Sequence, residues 1–149
     1  MSVRLRGAMP WVFALALLTA MIGCGESGPE RAEVRGTVTL DGTPVESGSI
    51  SFIPIEGTEG PSTGGAITNG AYHLTRSDGP VIGKHRVQIL ASRPTGRQIE
   101  AGEGADDPNA MIDEIEMYIP PEYNTKSKLT ADIESGTNQV DFALQSSGT

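Results

Sequence analysis

A chain of 149 residues has room for one domain and no second core. Its 37% apolar and 20% charged residues suit a globular protein, and 19 Gly with 10 Pro call for many turns and few long helices. A formal charge of −8 excludes nucleic-acid binding, which needs clustered Lys and Arg.

The N-terminus reads as an export signal. Arg4 and Arg6 form a positive start, and Ala8 to Ile22 form an apolar stretch that contains the only Trp, Trp11. At about 15 residues this stretch falls short of the roughly 20 needed to cross a bilayer, and Pro10 lies inside it. It ends in Met21-Ile22-Gly23-Cys24, which resembles the lipobox read by lipoprotein signal peptidase. Met21 departs mildly from the usual Leu; Ile22 and the small Gly23 fit. The resemblance implies removal of residues 1–23 and acylation of Cys24 with diacylglycerol and palmitate-type chains. Two or more chains anchor stably, at about 0.8 kcal/mol per buried CH₂. It also accounts for a lone Cys in an exported chain, where an unpaired thiol would otherwise stand free. Gly25 in place of Asp favours outer-membrane or surface display. Cleavage removes two bases and no acid, leaving 9 basic and 19 acidic side chains, a formal charge of −10. Such a chain does not lie on anionic lipid by its own surface, so its partner there is the membrane through the anchor alone.

Residues 24–32 read as a flexible polar tether and 33–146 as the folded domain. Glu33 to Leu40 alternates as a half-buried strand, with Val34, Gly36, Val38 and Leu40 on the inner face. Asp41-Gly42-Thr43-Pro44 reads as a turn in which Pro44 ends the pairing. Ser49 to Ile53 is a strand with Ile50 and Phe52 inward, and 57–65 a loop. Asn69-Gly70 between Ala66-Ile67-Thr68 and Ala71 to Thr75 is the strongest hairpin signal in the chain. Lys84 to Leu90 turns His85, Val87 and Ile89 to one side. Lys128 to Glu134 buries Leu129, Ala131 and Ile133; Gly136-Thr137-Asn138 turns; Val140, Phe142 and Leu144 form the last inward face. About seven short strands without a long helix predict an all-β, antiparallel sandwich.

Residues 92–117 break this rhythm. They carry seven acids, Glu100, Glu103, Asp106, Asp107, Asp113, Glu114 and Glu116, and read as one long acidic loop. Asp107-Pro108 and the spacing of Met111, Ile115 and Tyr118 predict a short helical turn, although Ile115, Met117 and Ile119 also alternate as a strand does. Asp106, Asp107, Asp113, Glu114 and Glu116 are the candidate ligands for a weak divalent-cation site, without the spacing of any fixed calcium motif. A solvated insertion or a partner-docking surface are the other readings.

Val34-Arg-Gly-Thr-Val-Thr-Leu-Asp-Gly-Thr-Pro-Val45, Gly48-Ser-Ile-Ser-Phe-Ile-Pro54, Gly70-Ala-Tyr-His-Leu74 and Gly79-Pro-Val-Ile-Gly-Lys-His-Arg-Val87 follow one another in order. Ile119-Pro-Pro-Glu-Tyr-Asn124, Ser127-Lys-Leu-Thr130 and Val140-Asp-Phe-Ala-Leu144 complete the set. Together they resemble carboxypeptidase-regulatory-like domains in single-domain bacterial lipoproteins, apart from the acidic segment. The resemblance implies a transthyretin-like sandwich of about seven strands in the cell envelope, with no cofactor and no set ligand. His85 stands where that family more often has an aromatic side chain.

Catalytic constellations are missing from the sequence. Neither His73 nor His85 has a Glu three residues on, and strand parity sets them on opposite faces, so a zinc peptidase site is not expected. No Gly-x-Ser-x-Gly elbow occurs, and the C-terminal Gln-Ser-Ser-Gly-Thr lacks the Tyr-Arg-Gly-Ser of the transthyretin-like urate-pathway hydrolases. The expected role is a non-catalytic structural or protein-binding module meeting an envelope protein or polymer. A carbohydrate-binding accessory domain or a weak divalent-cation-binding surface protein is the alternative, with Tyr118 and Tyr123 the remaining aromatics for a sugar.

Overall fold

Eleven strands and a single 3-10 turn make up residues 28–146, the part of the chain that the computed structural model describes. Residues 1–27, with the expected signal sequence and Cys24, lie outside the described residues, and no described helix is long and apolar enough to cross a membrane. The fold is all-β. Curled antiparallel sheets wrap one apolar core as a half-barrel, consistent with a sandwich, and a second small sheet stands apart from them.

The main sheet runs β10 (Thr137–Gln139), β1 (Glu33–Leu40), β5 (Ala71–Leu74), β4 (Thr63–Thr68), β3 (Ser47–Pro54), β6 (Gly83–Leu90), β9 (Thr130–Ile133). The alternation in the sequence decides its register. Val34 and Val38 of β1, Ile50 and Phe52 of β3, Tyr72 and Leu74 of β5 and Val87 and Ile89 of β6 are all buried on one side. Asp41-Gly42 and Asn69-Gly70 each have positive φ at both residues, which is the two-residue hairpin turn that matches strand twist. The first of them closes β1 onto β2 (Thr43–Pro44), so Pro44 stands opposite Thr39, and beyond it the Val45 N–H still donates to the Val38 carbonyl at 3.0 Å. Ile119-Pro-Pro-Glu-Tyr-Asn124 turns as a 3-10 helix at Pro121–Tyr123, and buried Asn124 donates from Nδ2 to the Ile119 carbonyl at 3.1 Å.

Two features of the chain ends differ from the sequence reading. Thr137–Gln139 is a strand, not a turn, and it runs parallel to β1, as does β11 (Phe142–Leu144). Between them Val140 and Asp141 cross β1 at Gly36 and Thr37. The Val140 N–H donates to the Arg35 carbonyl at 2.9 Å, and the Asp141 carboxylate accepts from the Thr37 N–H and hydroxyl at 2.7 and 2.8 Å. Period-2 patterning says which side chains go inward, and it is silent on strand direction. Residues 30–32, expected to be flexible, are also bound to the body. Ala32 is fully buried and donates to the Pro80 carbonyl, Arg31 bridges Val81, and the Arg31 guanidinium donates to the Gly79 carbonyl at 2.7 Å. From Glu30 onward the chain is bound to the body, because the Ile82 N–H donates to the Glu30 carbonyl.

His85 is a core residue. It is fully buried and T-shaped to Phe52, and Nδ1 donates to the Gly83 carbonyl at 3.0 Å while Nε2 has no partner. Burial holds its pKa below the ordinary value, partly offset by the Gly83 hydrogen bond. The unfolded chain therefore binds the proton more readily than the fold does. Stability is complete above the unfolded pKa of about 6.5 and is lost as pH falls below it. The melting midpoint should drop between pH 7 and pH 5, and His85→Phe should flatten that slope. A slope unchanged by the substitution would clear His85 of the effect.

Candidate functional site

The acidic segment is a β-ribbon, not a loop. β7 (Ser92–Glu100) and β8 (Met111–Met117) pair antiparallel from Ser92 opposite Met117 to Glu100 opposite Met111. The helical turn expected around Asp107-Pro108 does not form; those residues lie in the ribbon's tip, where the Gly102 N–H donates to the Pro108 carbonyl. Met111 and Ile115 satisfy a strand's alternation as well as a helix's spacing, and the partner strand decides between the two. That partner is hard to see in sequence because Thr95, Gly96 and Arg97 together face the single residue Glu114, a bulge that breaks the pattern of β7.

Nothing packs beneath this ribbon in the manner of a core. None of its residues is buried, and it carries most of the exposed large apolar side chains: Ile99, Met111, Ile112, Ile115 and Met117, the last three 46%, 58% and 63% exposed. A two-stranded ribbon alone is marginally stable in water, and large apolar side chains gathered at the surface of one element mark an interaction site. Its two faces differ. On one, which also carries Ile112 opposite Ile99, Arg93 pairs with Glu116 at 2.9 Å, and Arg97 pairs with Glu114 at 2.6 Å. The Thr95 hydroxyl also donates to Glu114 at 2.7 Å, and these bonds, Thr95's first, hold that carboxyl below the usual range. On the other lie Met111, Asp113, Ile115 and Met117, with Pro94 opposite Ile115.

The candidate cation ligands therefore do not converge. Asp113 faces away from Glu114 and Glu116, whose charges Arg97 and Arg93 already meet; Asp107 caps the Asn109 N–H at 3.0 Å in the tip, beside exposed Asp106. Among the described residues no three His, Cys, Asp or Glu side chains gather as a metal site would need. His73 is exposed and pairs with Glu33 at 3.1 Å, on the face opposite to that of His85.

At the root of the ribbon a cleft of about 550 Å³ separates Ser92, Arg93 and Pro94 from the β1–β2 turn, with Leu40, Thr43, Pro44 and Val45 on the far wall. Tyr118 lines it too, but the Arg93 guanidinium sits 4.9 Å over the ring, and the Tyr123 hydroxyl accepts from the Gln145 N–H at 3.3 Å. The two tyrosines thus have partners within the chain and form no open aromatic row. The apolar ribbon was the residue set hidden from sequence reasoning. The alternation of Ile115, Met117 and Ile119 was its one visible trace.

No family model matches the chain, and no curated protein sequence matches it. Among solved structures, a 9R-lipoxygenase from Cyanothece is similar at a TM-score of 0.38 and 12% identity, over 80% of this chain. The matched region is 17% of the lipoxygenase's own length. At that level of likeness nothing about lipoxygenase chemistry transfers to this chain.

Proposed function

We propose that the chain is an exported lipoprotein of the bacterial envelope, a carboxypeptidase-regulatory-like domain held to a membrane through Cys24, which acts as a non-catalytic protein-binding module. The observation that carries the binding half is the projecting ribbon β7–β8, whose apolar side chains stay in water although the core lacks none of them. The anchoring half is supported by the run from Arg4 to Cys24. The chain is bound to the body from Glu30, beside Ile82 at the start of β6, whereas the ribbon leaves the opposite end of β6 next to the β1–β2 turn, so the ribbon would point away from the anchor.

Cys24→Ser tests the anchor. The variant should fold as the parent does yet move from the membrane pellet to the soluble fraction, since no acyl chain can then be attached. A variant that still pellets would show that something other than that sulfur holds the protein.

A further inference from the structure

The two edges of the ribbon are not equivalent. β7 is guarded: Pro94 has no N–H to offer, and the bulge at Thr95–Arg97 bends the strand out of line. β8 has seven residues without Pro, Gly or bulge, and no described strand pairs with its outer edge. Ladder bonds at the two ends say which of its backbone groups point outward. The Tyr118 N–H donates to the Ala91 carbonyl, and the Ala101 N–H to the Ala110 carbonyl. Alternation from either end then turns the N–H and C=O of Met111, Asp113, Ile115 and Met117 away from β7. The residues with free backbone groups are thus those of the face that carries Met111, Ile115 and Met117.

Charge narrows what can fill this edge. β8 carries Asp113, Glu114 and Glu116 and no base, and 92–117 hold seven acids against Arg93 and Arg97. A second copy of β8 laid antiparallel with Glu114 at the centre would set Glu114 against Glu114 and acid against apolar at Asp113–Ile115 and Ile112–Glu116, with only Met111 and Met117 matched. Like charges directly opposite destabilise a strand pair, so self-addition is disfavoured. We propose that the outer edge of β8 receives a strand from another protein, apolar and bearing Lys or Arg, which lengthens the ribbon to three strands by main-chain pairing. This rests on the protein-binding reading above and specifies its partner's chemistry. Main-chain bonds then hold the strand, the cation at Asp113 sets register, and Met111, Ile115 and Met117 cover its apolar residues.

The test uses the full chain in detergent with two short strand-forming peptides that carry Val along one face except at one central position of that face, which is Lys in the first and Glu in the second. The Lys peptide should bind at least about tenfold more tightly and slow amide exchange at Met111, Asp113, Ile115 and Met117. Ile115→Pro removes an outward donor while leaving the β7–β8 ladder its bonds, and should weaken binding about tenfold. Asp113→Lys, which leaves the backbone alone, should shift preference toward the Glu peptide. Equal affinity for both peptides, no binding of either, or protection away from β8 overturns the inference. The wider protein-binding reading is judged separately, by cross-linking of the ribbon in the native envelope, and survives such a result if those cross-links remain.

Discussion

Gly36→Ala should destabilise the fold by about 3 kcal/mol or more and lower its melting midpoint by roughly 10 °C. A methyl group at Gly36 would come within 1.8 Å of the Val140 carbonyl oxygen. Relief would require Val140 to move, and Val140 is held from three sides. Its N–H donates to Arg35, its carbonyl accepts from the Tyr72 hydroxyl at 2.7 Å, and the next residue, Asp141, grips Thr37. Gly36 does not have positive φ, so the cost is collision and not backbone strain. Gly28→Ala is the control, because nothing lies within 4 Å of the site and its φ is also ordinary. It should leave the midpoint unchanged. If Gly36→Ala melted like the parent, the packing of residues 140–141 across β1 would be wrong.

The same position shows where sequence reasoning stops. Gly36 is legible as an inward residue of an alternating strand, and so are Val34, Val38, Ile50, Phe52, Val87 and Ile89. Burial on one face of a pleated strand writes itself at every second residue. The type of turn at Asn69-Gly70 is equally legible, since positive φ at two successive positions selects those residues. What Gly36 makes room for is not legible. Val140 lies 104 residues away and arrives on a parallel strand, and neither fact leaves a local mark. The ribbon is hidden for a related reason. Its strands bury nothing, so β7 has no apolar period to read, and its acids suggest a solvated loop until Arg93 and Arg97 are seen to meet two of them. Cys24 is the opposite case: a short motif carries that expectation, with no help from the fold.

Excising the ribbon should abolish partner binding and spare the body. The core runs from Ala32 to Leu144 with no member between 92 and 118, so removal of the ribbon takes away none of the residues that hold the sheets together. Arg93 and Glu116 are the pair best suited to closure. They follow the bonded pair Ala91–Tyr118 by two steps, they are joined by an ion pair, and Arg93 rests on Tyr118. An Asn-Gly turn in place of residues 94–115 closes a strand pair of that kind. It also takes with it Ile99, Met111, Ile112 and Ile115, the bulk of the exposed apolar surface.

The decisive comparison is therefore between the parent and this shortened chain in the native envelope, cross-linked in parallel and melted in parallel. The account predicts matching melting curves to within about 3 °C, with every cross-linked species of the parent missing from the shortened chain. Cross-links that persist without the ribbon would place the interaction on the body, and a body that unfolds without it would make the ribbon part of the scaffold.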